Sequence, residues 1–143
     1  ENFLDFNVLK TKELIFDFRR IHAELQPVVV NDSEVEIVPE YNWLGTLIDD
    51  KLNFHGNVQK IVAKCHQRLY FLYKLKQFKV DKTIMSLFYS SVISSVFKFC
   101  LIAFYGNITQ DDRHKLERIV SKASKAITVK QTCVNDIYIT VCA

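Results

Sequence analysis

A chain of 143 residues that is 49% hydrophobic can form one compact domain or two small ones, and little more. Its formal net charge of +3 is unevenly distributed, since residues 1–50 hold 11 Asp and Glu against 4 Lys and Arg, whereas residues 51–80 hold 7 Lys and Arg and no Asp or Glu. There is no signal peptide and no apolar run long enough to cross a bilayer, so we expect an intracellular chain, cytoplasmic or nuclear, without a membrane partner.

Short β-strands are predicted in the first 50 residues. Polar and apolar residues alternate imperfectly over residues 13–19, and two β-branched runs flank Asn31 and Asp32 within residues 28–38. These patterns predict a strand, a loop and a hairpin. A further strand is predicted over residues 41–48, with a bulge at its glycine.

Beyond residue 53 the hydrophobic period changes from two to 3.6, which predicts three helices and a domain boundary between residues 1–52 and 53–143. The predicted apolar face of the first helix consists of Val58, Ile61, Val62, Cys65, Leu69, Leu72 and Leu75. The second helix, capped by Asp81, is expected to be the most buried one, and its predicted inward face consists of Ile84, Leu87, Phe88, Ser91, Val92, Ser95, Phe99 and Ile102. The third begins at Thr109–Asp112, and its predicted inward face consists of Leu116, Ile119, Val120, Ala123 and Ile127.

Two of these helices carry basic stripes at helical spacing. The first stripe consists of Lys60, Lys64 and Arg68, and the second consists of Lys115, Arg118 and Lys122. Tyr70, Phe71 and Tyr73 are interleaved with further lysines on the first helix. Such a surface suits a phosphate backbone and stacked bases, but solvated helices with half-buried aromatic residues have the same pattern. The residues alone leave both interpretations open.

Residues typical of metal and phosphate sites are present only in unsuitable patterns. Asp49 and Asp50 follow a predicted strand rather than lying in a hairpin turn, so we interpret them as a solvated loop and not as a magnesium pair. His22 and Glu24, with His66 or His114, match an iron triad formally, but such a triad needs a framework of many strands. The cysteines (Cys65, Cys100, Cys133 and Cys142) lack zinc-ligand spacing, and the glycines (Gly45, Gly56 and Gly106) are isolated. We therefore expect reduced thiols and no metal or cofactor.

Several segments, in order, resemble the C-terminal part of the reverse transcriptase of non-LTR retrotransposons. "FNVLKTKELIFDFRR" resembles motif D of the palm, and "YNWLGTLID" resembles motif E, the primer grip, which is a strand pair. Three segments resemble the thumb helices: "IVAKCHQRLYFLYKLKQF", "LFYSSVISSVFKFCLIAFYGN" and "DRHKLERIVSKASKAIT". "DIYITVC" resembles the segment that follows them. The similarity covers nearly the whole chain.

This resemblance implies specific roles for a few residues. Asn7, Lys10 and Thr11 match the motif whose lysine assists pyrophosphate departure, and Trp43, Leu44 and Gly45 match the grip that holds the primer end. The catalytic aspartates of the family precede motif D, so we expect a non-catalytic fragment of a longer polymerase. Its implied partners are an RNA–DNA or DNA duplex, bound at the two basic stripes, and the remainder of the palm. Basic or larger polar residues usual in the family are missing at Ala63, Tyr73, Ser90 and Val141.

Residues 64–107 are also similar to sequences grouped with the N-terminal helical domain of the vertebrate AlkB-type dioxygenase that carries a tRNA methyltransferase. That grouping implies a dioxygenase or methyltransferase label by inheritance, without activity in this chain. Both resemblances leave the same expected architecture: an α+β chain with a small N-terminal antiparallel sheet followed by a three-helix bundle. The bundle core is predicted to contain Leu69, Leu72, Phe88, Val92, Ile119 and Val120.

Overall fold

The computed structural model describes residues 7–20 and 25–142, and the chain divides into two compact units, residues 1–52 and 53–143. The first unit contains short strands and the second contains helices, so the predicted α+β class is confirmed. No helix in the described part of the chain is long and apolar enough to cross a membrane.

In the described part of the first unit, six short strands form three separate two-stranded pairs. The strands are β1 (Lys12–Glu13), β2 (Val29–Val30), β3 (Ser33–Glu34), β4 (Glu36–Ile37), β5 (Glu40–Trp43) and β6 (Thr46–Asp49), and a short 3₁₀ turn, Val8–Lys10, precedes them. The β2–β3 and β5–β6 pairs are antiparallel, whereas β1 and β4 pair in parallel. Among the described residues of this unit only Val35, Thr46 and Leu47 are buried, so most of its apolar side chains face solvent.

Both antiparallel pairs are hairpins with two-residue turns. Asn31 and Asp32 have φ of 50° and 56° and join β2 to β3, as predicted, because their side chains tolerate the left-handed region. Leu44 and Gly45 have φ of 49° and 92° and join β5 to β6. The single strand predicted over residues 41–48 is therefore wrong, and the strand pair implied by the motif E resemblance is what the structure contains.

The strand predicted over residues 13–19 is also wrong beyond its first residue. Only Glu13 belongs to a strand, and Leu14–Arg19 have no strand partner among the described residues. The Asp17 carboxylate accepts hydrogen bonds from the backbone N–H and the guanidinium of Arg19. This local turn competes with strand pairing, which the imperfect alternation of the segment supports only weakly.

The second unit contains the helices. They are α1 (His55–Gln77), α2 (Lys82–Phe88), α3 (Ser95–Lys98), α4 (Leu101–Phe104), α5 (Gln110–Ile127) and α6 (Val134–Cys142), with a π-helical turn, Tyr89–Ser94, between α2 and α3. Residues 82–104, from α2 to α4, form what we call the middle segment. It corresponds to the predicted second helix, interrupted where Cys100 adopts a left-handed conformation with φ of 53°.

Side chains begin two of the helices as predicted. Asp81 accepts a hydrogen bond from Thr83 N–H at 2.7 Å, and Thr109 Oγ1 accepts one from Asp112 N–H at 3.2 Å. The α6 helix is capped from a distance instead, because the Glu117 carboxylate accepts hydrogen bonds from the backbone N–H groups of Val134 and Asn135. That cap ties α6 to the middle of α5.

The predicted inward faces of α1 and α5 are correct, but that of the middle segment is wrong. Its buried side chains are Met85, Tyr89, Ile93, Ser94, Phe97, Leu101 and Phe104, whereas Ile84, Leu87, Phe99 and Ile102 are exposed and Phe88 and Val92 are half-buried. The buried set begins with four residues spaced by four, which would drift by about 40° per step around an α-helix. The π turn has more residues per turn and so keeps them on one face.

Leu72 tests this packing, since its side chain is 0% exposed in the core of the second unit. Leu72→Ala should lower the free energy of unfolding by roughly 2–5 kcal/mol through lost burial and the cavity it leaves. The matched control is Leu87→Ala, which removes the same atoms from a side chain that is 65% exposed and should change the free energy of unfolding by less than about 1 kcal/mol. Urea denaturation followed by circular dichroism measures both, and equal losses would contradict the observed face.

Candidate nucleic-acid interface

The two helices with basic stripes, α1 and α5, pack side by side and run in the same direction. Their starts meet where His55 Nδ1 lies 2.9 Å from Asp112 Oδ2, and further along Lys122 Nζ lies 3.4 Å from His66 Nε2. Near the end of α1, the Lys76 ammonium donates to the Lys125 carbonyl oxygen at 3.3 Å. This arrangement brings the outer surfaces of the two helices next to each other.

A buried carboxylate connects the starts of these helices. The Asp112 side chain is fully buried, and besides His55 it accepts hydrogen bonds from Lys115 Nζ at 2.9 Å and Thr109 Oγ1 at 3.1 Å. Burial, the largest single influence, raises the pKa of this carboxyl, but the hydrogen bonds from His55, Lys115 and Thr109 outweigh it and the pKa is lowered. The site therefore holds a carboxylate between two helix N-termini, where the helix dipoles favour negative charge.

The first stripe, on α1, divides into two kinds of residue. Lys60 and Lys64 are exposed, and neither forms a hydrogen bond or ion pair with any described residue. Arg68 is half-buried instead, and its guanidinium donates to the Val92 carbonyl oxygen in the middle segment. Two of the three predicted contacts to phosphate are thus available on this surface, and the third is partly engaged within the protein.

The second stripe, on α5, divides in the same way. Lys115 is paired with Asp111 at 2.6 Å and with Asp112, and these two bonds, in that order, raise its pKa. Arg118 and Lys122 are exposed. The structure thus assigns Lys115 mainly to the carboxylate cluster, leaving Arg118 and Lys122 to face solvent beside His66.

The primer-grip-like residues lie at the tip of the β5–β6 hairpin. Trp43 is 62% exposed and Leu44 is 80% exposed, and Gly45 supplies the second left-handed position of the turn. An indole and an isobutyl group held in water at a hairpin tip form a small apolar contact surface. They are not in the middle of a strand, where the sequence pattern placed them.

The motif-D-like residues form a local turn. Asn7 Oδ1 accepts from Lys10 N–H at 3.3 Å, and Thr11 Oγ1 donates to the Asn7 carbonyl oxygen at 3.0 Å. Lys10 itself is exposed. The asparagine and threonine therefore shape the turn that presents the lysine.

The other predicted positions do not assemble a metal site. Asp49 ends β6 opposite Glu40 and accepts from Lys51 N–H at 3.1 Å, and Asp50 follows in a turn. Both are half-buried, so the interpretation of Asp49 as part of a solvated loop is wrong. His22 and Glu24 lie outside the described residues, while His66 and His114 lie on α1 and α5. Within residues 7–20 and 25–142, no group of three His, Cys, Asp or Glu side chains is arranged to hold a metal ion, and the cysteines there are free.

Sequence reasoning missed His55 and Asp112 as partners. Asp112 was identifiable only as part of a helix start, and nothing in the pattern relates it to a histidine that is 57 positions away. The positions noted as departures from the family, Ala63, Tyr73, Ser90 and Val141, are all exposed, so their replacement changes the surface and not the core.

Comparison with known proteins gives a match to a family model. Residues 54–95 match the family model described as "Alkylated DNA repair protein alkB homolog 8, N-terminal". The match covers α1, α2, the whole π turn and the first residue of α3, less than half of the chain, and confirms the similarity to that domain with different bounds from those predicted. No curated protein and no solved structure matches the chain significantly. The reverse transcriptase resemblance stays a prediction.

The Asp112 cluster makes a prediction about stability and pH. Because the folded-state pKa lies below the ordinary value of 3.8, the carboxylate stabilises the fold above that pH, and this contribution is lost as the pH falls through the folded-state pKa. Asp112→Asn should therefore lower the free energy of unfolding by roughly 1–3 kcal/mol near pH 7, with a smaller difference from wild type toward pH 3. Asp136→Asn, at an exposed position, is the control. A difference independent of pH would contradict the proposed role of the charge.

Proposed function

We propose that this chain is a non-catalytic part of a retrotransposon reverse transcriptase that binds the backbone of a primer–template duplex, RNA–DNA or DNA. The observation that carries the proposal is the pair of exposed basic surfaces on two parallel, adjacent helices. Lys60 and Lys64 face solvent on α1, and Arg118 and Lys122 face solvent on α5. Regularly spaced cations on rigid helices suit the repeating charge of a phosphate backbone.

The charge of residues 51–80 supports this proposal. With 7 Lys and Arg and no acidic residue in that range, α1 carries no carboxylate that would repel a polyanion. On α5, by contrast, three acidic residues (Asp111, Asp112 and Glu117) stand against five basic ones (Arg113, Lys115, Arg118, Lys122 and Lys125), and Lys115 pairs with both aspartates. The net field over both stripes is thus positive, which speeds the approach of a nucleic acid.

Exposed apolar side chains in the first unit support the proposal that this chain contacts the remainder of a polymerase palm. Its described residues include many exposed apolar side chains: Leu9, Phe16, Phe18, Leu25, Val28, Val29, Ile37, Tyr41, Trp43 and Leu44. Soluble proteins seldom leave so many large apolar groups uncovered on so short a stretch, and such surfaces mark interaction sites. In a palm, neighbouring strands would cover part of this surface, and the Trp43–Leu44 tip would face the primer end.

The proposal has no chemistry assigned to this chain. Lys10, the motif-D-like lysine, would act only beside catalytic aspartates supplied by the rest of the polymerase. The role of this chain is then to position: the hairpin tip orients the primer, and the helices hold the duplex by its phosphates.

A second candidate rests on the family match over residues 54–95. In that case residues 53–143 are a helical module that shares a domain label with an AlkB-type protein and has no activity of its own. Both candidates predict a folded helical unit, and they differ in duplex binding. A helical module without a nucleic-acid ligand would show no binding to an RNA–DNA hybrid at low salt.

Under either candidate we predict no catalysis by the purified chain. Polymerase assays with magnesium, dioxygenase assays with ferrous iron and 2-oxoglutarate, and methyltransferase assays with adenosylmethionine should all give turnover at buffer background. His66→Ala and Asp49→Ala variants serve as controls for contaminating enzymes. Turnover that disappears in one of these variants would show that the chain has an active site of its own.

Duplex binding is tested by the salt dependence of affinity. Lys60→Gln with Lys64→Gln should reduce the slope of log K against log salt by roughly 1.8, at about 0.9 per lost phosphate contact. The same double change at Arg118 and Lys122 tests the α5 surface. Lys98→Gln with Lys130→Gln removes equal charge from exposed positions outside both stripes and should reduce the slope less.

Fluorescence anisotropy with a labelled blunt RNA–DNA hybrid measures these slopes. The proposal requires that at least one stripe variant lowers the slope while its circular dichroism spectrum stays that of wild type. Wild-type affinity in both stripe variants, or no binding by the wild-type chain at low salt, would contradict duplex binding and favour the helical module.

A further inference from the structure

A groove lies between the second half of α1 and the start of the middle segment, away from the surface that α1 shares with α5. It has a volume of about 630 Å³, within the range of roughly 300–1,000 Å³ typical of ligand pockets. Its lining includes Arg68, Phe71, Lys74, Phe78, Phe88 and Val92.

Partly exposed aromatic rings dominate this groove, and the ring of Phe71 also makes an edge-to-face contact with Tyr70, with 5.6 Å between the centroids. Phe71 is 56% exposed and Phe78 is 77% exposed, while Phe88 is half-buried on the opposite wall. Covering an exposed phenyl ring removes apolar surface from water and is therefore favourable. Nucleobases stack on such rings whichever base is present. No described part of the chain covers either exposed ring fully.

The cations of the groove are held at fixed positions. Arg68 donates to the Val92 carbonyl oxygen of the π turn, which places a guanidinium on the wall, and Lys74 lies with its ammonium 5.5 Å from the Tyr70 ring centroid. The neighbouring thiol of Cys65 contacts the Ile93 carbonyl oxygen in the same turn. Burial raises the pKa of that thiol to about 11, so it adds no negative charge at neutral pH.

The charge of the groove selects an anionic occupant. Both of its charged lining residues are cations, and no carboxylate lines it. A chain of nucleotides combines negative phosphates with flat apolar bases, and the groove offers cations beside open phenyl rings. An acidic peptide would satisfy the cations, but it would leave the ring faces without a planar partner.

We propose that this groove binds unpaired nucleotides of a single strand, with bases stacked on Phe71 and Phe78 and phosphates near Arg68 and Lys74. The inference rests on the proposed function, since it supplies a place for a strand that continues beyond the bound duplex. It explains why one part of α1 carries aromatic residues among its lysines, whereas the earlier turns carry lysines without them.

The experiment compares three labelled probes by fluorescence anisotropy: a blunt RNA–DNA hybrid, the same hybrid with a single-stranded oligouridine extension, and free oligouridine. The extension should tighten binding of the wild-type chain. The double variant Phe71→Ala with Phe78→Ala should bind the extended hybrid roughly 30-fold or more weakly than wild type, and should bind the blunt hybrid as wild type does. Both side chains are exposed, so the fold should survive, which circular dichroism checks.

Two controls test whether the effect of the double phenylalanine variant comes from lost base stacking. One excludes a general effect of removing an aromatic side chain, and the other excludes an effect of charge. Tyr73→Ala removes an exposed aromatic side chain of α1 that does not line the groove, and it should leave all three affinities unchanged. Lys74→Gln should reduce the salt slope for oligouridine by about 0.7, whereas the double phenylalanine variant should keep the wild-type slope.

The outcomes distinguish this inference from the proposed function. If oligouridine binds through Phe71 and Phe78 but the blunt hybrid does not bind, the duplex proposal fails and the groove stands. If the extension adds no affinity, or Tyr73→Ala weakens binding as much as the double variant does, the groove proposal is overturned. Displacement of oligouridine by polyglutamate at matched charge concentration would also overturn it, by showing that the groove recognises acidic chains in general.

Discussion

The arrangement of the second unit depends on the hydrogen bonds that the buried Asp112 carboxylate accepts. The α1 and α5 helices run in the same direction, and the middle segment connects the end of one to the start of the other. The positive N-terminal ends of the α1 and α5 dipoles therefore lie together. A carboxylate between them offsets that repulsion, and its hydrogen bonds from the partly exposed His55, Lys115 and Thr109 keep the buried charge from being unpaired. The parallel packing that results is what sets the two basic stripes side by side.

This constraint also separates structural cations from those available to a ligand. Lys115 belongs to a stripe with regular spacing, yet it is bound to the carboxylates of Asp111 and Asp112. Lys60 and Lys64 face solvent. Spacing along a helix predicts which side chains share a face, but only the neighbouring helices decide which of them already have partners.

Local signals in the sequence were sufficient for the hairpin at Asn31 and Asp32, the caps at Asp81 and Thr109, and the inward faces of α1 and α5. Each of these depends on residues within a few positions of one another. The residue pattern alone does not indicate the Leu44–Gly45 turn, because leucine rarely adopts positive φ and the apolar run continues through it as if it were one strand. The His55–Asp112 pair could not be predicted for a different reason. The residue spacing within each helix does not indicate which residue of a distant helix it contacts.

The middle segment shows how one backbone irregularity reverses a face and thereby affects function. A pattern of 3.6 residues per turn predicts Ile84, Leu87 and Ile102 on the buried face. The side chains that are actually buried are spaced by four, and only the π turn keeps residues at that spacing on one face. Both faces are apolar, so composition does not decide between them. Burying Met85, Tyr89, Ile93 and Phe97 leaves Phe88 and Val92 at the edge, facing the aromatic end of α1. The groove with its open phenyl rings is thus a consequence of the same π turn whose Val92 carbonyl holds Arg68 in place.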